Sequence, residues 1–317
     1  MLLFNLSTLF RRGVMENIET TNLGNWEEFR EEIKKIRDEH GKSSFDGTEF
    51  NFKILYRGQS DSNWGLESTL ERVFPEELFK MKSYLKIAEE CKPEIESLAK
   101  RKWKTLSKEE IEKDASFEAD LPNIEYLVHL RHCGFPSPLL DWTRSPYVAA
   151  YFAFREAPFL PISPKKKVAI FVCIHKTVVT KATFLNGPTI GPIRIVSSGN
   201  STMNTERGSE ATHPRHFAQK AEYTFATKLL KDNVTGKNEY FFCGHSEAAN
   251  FESEMGQVKI IKITLPESEW LNAFEELHDY NISEFTLFQT EDALMRDLAR
   301  RKLLHPTDSQ PTIIKAV

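Results

Sequence analysis

Cysteine is scarce in this chain and long hydrophobic runs are missing, and each absence excludes a class of protein. The four cysteines lie far apart, with no CxxC pair and no His/Cys ligand spacing: Cys91, Cys133, Cys173 and Cys243. This pattern argues against a disulfide framework and a structural zinc site, and it favours reduced thiols in a cytoplasmic protein. The apolar run near the N-terminus spans about ten residues, too short to cross a bilayer. We therefore expect no membrane segment.

Several catalytic motifs are also missing. The sequence has no GxxxxGK[ST] or GxGxxG loop to cradle phosphates, no GxSxG nucleophile elbow and no HExxH metal motif. His129 and His132 are close enough to share one helix face, but they lack accompanying ligands and are interpreted as packing or surface histidines. No cluster of carboxylates suggests a nuclease metal either. No metal site is predicted.

An excess of basic residues is lacking too, because 42 lysines and arginines are outnumbered by 46 aspartates and glutamates. The net charge of −4 argues against general binding to long nucleic acid, although a local basic cleft for an RNA or DNA acceptor stays open. Such an acceptor would be sought at three basic patches, each of which alone is typical of solvated surface. These patches are Lys100–Lys104, Lys165–Lys167 and Arg300–Lys302.

What the sequence does contain is a run of helices followed by mostly short strands. Apolar spacing predicts an amphipathic helix over 26–39, and alternation predicts a buried strand over 50–56. The stretch 75–103 is interpreted as one or two charged helices, with Pro93 favouring a break. The segment 257–265 is interpreted as an edge-like strand. This order predicts an α+β fold with a mixed or antiparallel sheet core of short strands and flanking helices.

One domain is expected over 24–304, preceded by a lead-in over 1–23 and followed by a tail over 305–317. The lead-in is expected either to be a packed, frayed or disordered segment or to precede a true start at Met15. The stretch 197–214 is rich in Ser, Asn, Thr and Gly and is long for a connector. It is predicted to be a mobile loop over a site.

The most informative stretch spans 127–154, where polar residues interrupt two apolar segments. Five of them follow one another: Asp141, Trp142, Thr143, Arg144 and Ser145. Burying such groups without partners costs on the order of 1–3 kcal/mol each, so they must pair or meet a ligand. Two interpretations stay open at this point. Either Asp141 caps the next helix and Trp142 belongs to the core, or the loop forms a binding site.

Two segments carry a family resemblance. YRGQSDSNWGLESTLER at 56–72 holds an aromatic-Arg-Gly motif. LRHCGFPSPLLDWTRSPYVAAYFAF at 130–154 holds a His-x-Gly-x-Pro turn, a Leu-Leu-Asp-Trp-Thr block and an Ala-x-x-Phe-Ala helix. In these motifs the chain resembles the FRG domain family of bacterial proteins, roughly from Trp26 to Leu298. It departs from the family pattern at Arg131, where glutamine is usual, and at Ala221, where glycine is usual.

The layout is also similar to that of ADP-ribosyltransferases, in which an arginine ends an early strand, a Ser/Thr block opens a helix and a later strand carries Gln or Glu. This resemblance implies an ADP-ribosyltransferase-like fold and an enzyme that consumes NAD as a substrate. The transferase would modify a protein or nucleic-acid acceptor. Bacterial domains of this kind are typical of toxins and antiviral defence, so a toxin–antitoxin pairing with an inhibitor protein is implied as well.

On this hypothesis Arg57 binds the diphosphate or the nicotinamide ribose of NAD, and Gly58 permits close approach of the ligand. Thr143 and Ser145 hydrogen-bond the ribose or the carboxamide. Stacking of the nicotinamide ring is assigned to aromatic side chains of the same region. These are Trp142, Tyr147 and Tyr151.

The resemblance further implies a catalytic acid on a late strand, where Glu222 is the first choice and Gln219 and Asp141 are the alternatives. A carboxylate beside the ribose would stabilise an oxocarbenium-like transition state. The competing interpretation is a non-catalytic module that binds a nucleotide or a partner. In that case Arg57 and Asp141 form a structural ion pair.

Overall fold

The computed structural model describes residues 18–40, 43–45, 48–75, 77–112, 121–159, 165–178, 193–197, 214–231, 236–254 and 258–304. Most of the predicted lead-in and the whole predicted tail lie outside the described residues. The predicted loop over 197–214 also lies outside them, apart from its two end residues. In the part of the chain that the structure describes, no helix has the length and apolar character needed to cross a membrane.

A nine-stranded mixed sheet forms the centre of the described structure, which confirms the predicted α+β class. The strands are β1 (Glu19–Asn22), β2 (Ser43–Phe45), β3 (Thr48–Gln59), β4 (Leu140–Thr143), β5 (Lys167–Val178), β6 (Ile193–Ser197), β7 (Ala221–Lys231), β8 (Asn238–Phe242) and β9 (Val258–Pro266). Seven lie in the order β1-β9-β5-β3-β4-β7-β6, while β2 pairs with β3 and β8 with β7. The β1–β9 pair is parallel and the other strand pairs are antiparallel.

Eleven α-helices accompany this sheet in the described residues. They are α1 (Trp26–His40), α2 (Thr69–Val73), α3 (Met81–Ala99), α4 (Lys108–Glu112), α5 (Ile124–His132), α6 (Pro146–Phe154), α7 (Pro214–Ala218), α8 (His245–Glu254), α9 (Trp270–Asp279), α10 (Glu284–Phe288) and α11 (Glu291–Ala299). Helices α1, α6, α9 and α10 bury apolar side chains against one face of the sheet, and α8 covers part of the other. Helices α2, α3 and α5 pack beside β7 and β8.

Helix α1 shows why the helix prediction over 26–39 is confirmed. Trp26, Phe29, Ile33 and Ile36 recur at helical spacing and are all buried in the core. The side chain of Asn25 accepts a hydrogen bond from the backbone N–H of Glu28 at 2.9 Å, which satisfies one of the first free donors of the helix.

Helix α6 packs unusually close to β3, and Gly58 is the reason. A Cβ atom at Gly58 would lie 1.8 Å from the backbone oxygen of Ala149 and 2.6 Å from the backbone nitrogen of Ala153. The glycine predicted to let a ligand approach therefore makes room for the backbone of α6. This contact fixes the end of β3, and with it Arg57, relative to α6.

Two sequence predictions about elements are wrong. Helix α3 continues through Pro93, and the buried Lys92 beside it holds this part of the helix in place by donating to the backbone oxygen of Lys104 at 2.6 Å. The strand predicted as edge-like is β9, which lies inside the sheet between β1 and β5. The edge prediction failed because β1, in the segment assigned to the lead-in, pairs with β9 from Glu19 opposite Ile261 onward.

Candidate functional site

A cavity of about 840 Å³ lies beside the single paired position of β3 and β4, Tyr56 opposite Thr143. Its walls come from the end of β3 and the loop after it, from β4, from the last turn of α6, and from the segment leading into β7. Guanidinium groups, carboxylates and amides line it together with aromatic rings. Its aromatic residues are Tyr56, Trp64, Trp142, Phe152, Tyr223 and Phe288.

Arg57 reaches from β3 to β4 in this cavity. Its Nη1 donates to the backbone oxygen of Asp141 at 2.8 Å and lies 4.0 Å from the carboxylate oxygen Oδ2 of the same residue. Burial lowers the pKa of Arg57 to about 10, against the opposing effect of Asp141, so the group is still charged at neutral pH. Its Nε has no hydrogen-bond partner among the described residues. A buried guanidinium with a free N–H is suited to an anionic oxygen.

Asp141 is held mainly by a second arginine. Nη2 of Arg131 donates to Oδ2 of Asp141 at 2.7 Å. Burial acts to raise the pKa of Asp141, but Arg131 and Arg57 outweigh it and the net pKa is lowered. The residue that caps α6 is Ser145, whose Oγ accepts from the backbone N–H of Val148 at 3.4 Å. The interpretation of Asp141 as the helix cap is therefore wrong, because its carboxylate pairs with Arg131 while its backbone oxygen holds Arg57.

Thr143 joins β4 to the start of β7. Its Oγ1 donates to the backbone oxygen of Gln219 at 2.7 Å and accepts from the backbone N–H of Ser145 at 3.1 Å. Trp142 is mostly buried, and its Nε1 donates to Oγ1 of Thr224 at 2.8 Å. The cavity thus brings together six of the predicted site residues. They are Arg57, Gly58, Asp141, Trp142, Thr143 and Gln219.

Glu222, the first choice for the catalytic acid, does not line the cavity. Its neighbours Ala221 and Tyr223 do, and successive side chains of a strand alternate between the two faces. The buried carboxylate of Glu222 instead accepts a hydrogen bond from Nζ of Lys53 at 2.9 Å and lies 3.7 Å from Nε of Arg144.

Ser145, Tyr147 and Tyr151, predicted to bind the ligand, are also absent from the lining of this cavity. Ser145 and Tyr147 line a separate depression beside α10. Tyr151 is fully buried in the core, where its hydroxyl hydrogen-bonds the carboxylate of Glu284. Ser145 is the N-cap of α6, and Tyr147 and Tyr151 lie within the helix, so their directions are set by the rotation of α6.

Residues 52–158, about a third of the chain, match the family model of the FRG domain. This part of the chain is an FRG domain. The suspected family is confirmed over these residues, which include Arg57 and Asp141, and the wider resemblance from Trp26 to Leu298 stays a prediction. No curated protein and no solved structure matches the chain.

The FRG domain contributes cavity residues that sequence reasoning missed. Arg155 and Glu156 directly follow α6, one turn after Phe152, and helical spacing from that residue could have found them. The guanidinium of Arg155 lies 4.7 Å from the ring centre of Phe288, which the guanidinium of Arg215 approaches to 5.3 Å. Two cations therefore converge on one aromatic ring at the cavity wall.

Other missed residues come from the loop after β3 and from α2. Glu67 and Arg72 line the cavity, and no ion pair involves either side chain in the described part of the chain. His132 lines it too, with Nε2 at 3.1 Å from the hydroxyl of Tyr223. Among the described residues, no group of three or more His, Cys, Asp or Glu side chains is placed to hold a metal ion.

Glu284, the buried partner of Arg155, makes stability depend on pH. Burial acts to raise its pKa, but hydrogen bonds from Arg155 and Tyr151 outweigh it, and the net pKa is lowered. A folded pKa below the unfolded value of about 4.3 means that the ionised group stabilises the fold above that pH. This contribution is lost as the pH falls through the folded pKa.

We therefore expect the free energy of unfolding to fall as the pH drops from 5 to 3. Glu284→Gln should lower it by about 3 kcal/mol at pH 7, because three arginines lose their shared buried carboxylate, and it should flatten the acid slope. Urea denaturation at several pH values measures both effects. An unchanged acid slope in the variant would show that Glu284 is not the group responsible.

Proposed function

We propose that the cavity binds NAD and that the protein transfers ADP-ribose from it, as an ADP-ribosyltransferase-like enzyme. The observation that carries the proposal is the buried Arg57 guanidinium, with an unpartnered Nε, in a cavity rich in aromatic rings. A guanidinium binds diphosphate oxygens through a planar fork, and aromatic faces stack nicotinamide or adenine. A volume of about 840 Å³ falls in the usual range for ligand sites.

The order of the strands also supports this proposal. Arg57 lies on β3, Thr143 on β4 and Gln219 just before β7, and these three strands are neighbours in the sheet. The three sequence blocks that resemble ADP-ribosyltransferases thus meet at one cavity. Of the two late-strand candidates for the acid position, Gln219 lines the cavity and Glu222 does not.

The proposed reaction breaks the bond between the nicotinamide nitrogen and C1′ of the ribose. Nicotinamide leaves with the bonding electron pair as a neutral molecule, and an acceptor nucleophile bonds to C1′ and releases its proton. The positive charge that develops on the ribose needs a carboxylate. Asp141 is committed to two arginines. Glu156 is too, because Nη2 of Arg296 donates to its carboxylate at 3.0 Å and Nε of Arg155 lies 3.9 Å from it. The remaining carboxylate that lines the cavity and suits this role is Glu67.

Release of free nicotinamide from NAD, followed by chromatography, tests this function. We expect Glu67→Gln to lower the rate about 100-fold, because Glu67 supplies the stabilising charge. Glu222→Gln, a matched change outside the cavity, should leave the rate within a few-fold of wild type. A folded wild-type protein that releases no nicotinamide in the presence of protein, RNA or DNA acceptors would contradict the transferase proposal.

A non-catalytic nucleotide-binding module is the second candidate, favoured by the position of Glu222 outside the cavity. In that case NAD or another nucleotide raises the melting temperature without being consumed. Nicotinamide release separates the two functions, because the module would bind NAD and leave it intact.

The biological role is proposed from the family resemblance. A transferase that consumes NAD inside the cell would act as a toxin or a defence effector, and it would need an inhibitor or antitoxin partner. The four cysteines form no disulfide, which fits the cytoplasm, where thiols stay reduced.

A further inference from the structure

Gln59 lies two residues after Arg57 on β3 and lines the same cavity. Only 7% of it is exposed. Its Nε2 donates to the backbone oxygen of Gly65 at 3.0 Å, while its Oε1 is buried and has no hydrogen-bond partner in the part of the chain that the structure describes.

Hydrogen-bond chemistry determines which end of the Gln59 amide faces the backbone oxygen of Gly65. Turning the side chain over would place Oε1 against the oxygen of Gly65, and two acceptors cannot form a hydrogen bond. The donor of Gln59 is therefore used by the protein, and the acceptor is left for something else. Folded proteins rarely keep a buried acceptor unpaired, because it loses its hydrogen bonds to water without replacement.

We propose that Oε1 of Gln59 accepts a hydrogen bond from an amino group of the ligand, and that it selects for ligands that carry such a group. This inference rests on the proposed function, since NAD carries two such groups, the carboxamide of nicotinamide and the 6-amino group of adenine. Arg57 would then bind the anionic part of the ligand while Gln59 binds the planar, amino-bearing part. The two side chains offer opposite chemistry, since the free atom of Arg57 is a donor and that of Gln59 is an acceptor.

Trp64 supplies a surface for that planar part. It precedes Gly65, whose carbonyl holds Gln59, it lines the cavity, and 52% of it is exposed. An exposed indole at a cavity wall offers a stacking face for an aromatic heterocycle. A ring stacked there would present its amino group close to the loop that Gln59 supports.

Calorimetric titration with two analogues of NAD tests this inference, because each analogue lacks one of the two amino groups of NAD. The measured quantity is the affinity. Wild-type protein is titrated with NAD, with 3-acetylpyridine adenine dinucleotide, in which a neutral methyl group replaces the carboxamide amino group, and with nicotinamide hypoxanthine dinucleotide, which lacks the adenine amino group. We expect one of the two analogues to bind about tenfold more weakly than NAD and the other to bind as NAD does. The weaker analogue identifies which amino group Gln59 contacts.

Variants test whether Gln59 causes the selectivity between NAD and its analogues. Gln59→Met keeps the length of the side chain and removes its acceptor, so it should bind NAD and the discriminated analogue equally. Asn272→Leu, which removes an exposed amide from α9, should keep wild-type selectivity. The comparison of analogues on wild-type protein does not depend on whether the Gln59 variant folds.

The outcomes separate this inference from the proposed function. If NAD binds and both analogues bind equally well, the role of Gln59 is overturned while NAD binding stands. If NAD does not bind, AMP and IMP, which differ in the 6-amino group, are titrated in its place. Selective binding of AMP would then support the proposed role of Gln59 and reject NAD as the ligand. If neither AMP nor IMP binds, both the role of Gln59 and NAD binding are overturned.

Discussion

Replacing Gly58 by alanine is expected to remove most of the stability of the fold. The new methyl group would lie 1.8 Å from the oxygen of Ala149 and 2.6 Å from the nitrogen of Ala153, and neither backbone atom can rotate away as a side chain can. This clash can be relieved only if α6 moves away from β3, and that movement opens the hydrophobic core around α6. We expect a loss of more than about 4 kcal/mol, a large fraction of the 5–15 kcal/mol typical of a domain.

Urea denaturation followed by circular dichroism measures this loss. Gly24→Ala is the matched control, because the nearest atom to its new methyl group would be a carboxylate oxygen of Glu28 at an ordinary 3.4 Å. The control should change the free energy of unfolding by less than about 1 kcal/mol. A Gly58→Ala variant with wild-type stability would show that β3 and α6 are not in such close contact.

Replacing Arg57 by alanine is expected to weaken NAD binding about 100-fold, because the cavity loses its buried charge and its free N–H. Asp141 keeps its hydrogen bond from Arg131 in this variant, so the carboxylate stays paired and the fold should survive. Arg57→Lys should restore the charge without the planar fork, and its affinity should therefore lie between those of alanine and arginine.

Calorimetric titration of NAD measures these affinities. Arg30→Ala is the control, since Arg30 lies on α1 in ion pairs with Glu27 and Glu276 and does not line the cavity. It should bind NAD as wild type does. Equal affinity in the Arg57→Ala variant and the Arg30→Ala control would mean that NAD, if it binds, binds elsewhere.

Much of the fold could be predicted from local sequence patterns. Helix α1 follows from apolar residues at helical spacing, and β5 from a continuous apolar run that is buried on both faces. The meeting of Arg57 with Asp141 and Thr143 was expected from the resemblance to known families, not from local sequence patterns. Helix α1 and strand β5 are set by neighbours in the chain, whereas the contact between Arg57 and Asp141 joins positions 84 residues apart.

The orientation of Glu222 could not be predicted in this way. Gln219 and Lys220 form a turn in which Lys220 has a φ of +47°, and β7 begins only at Ala221. Ala221 and Tyr223 therefore line the cavity and Glu222 does not. A shift of one residue in the pairing register of a strand exchanges its two faces, and the sequence did not indicate the register in which β7 pairs with β4.

The place of β9 in the sheet depends on a pairing between distant parts of the chain. The segment Glu19–Asn22 is short and mostly exposed, so its own hydrophobic pattern does not indicate a strand. The segment becomes one by pairing with Ile261–Thr264, more than two hundred residues later. Local periodicity carries no information about such a partner, which is why β9 was taken for an edge.

The central claim, that Arg57 and its neighbours form a site for NAD, is tested most directly by a crystal structure determined with NAD. We predict a dinucleotide in the cavity with a phosphate or ribose oxygen within about 3.2 Å of Nε of Arg57. Crystals grown at saturating NAD that show the dinucleotide on another surface, or show the Arg57 cavity filled only by water, would contradict the account.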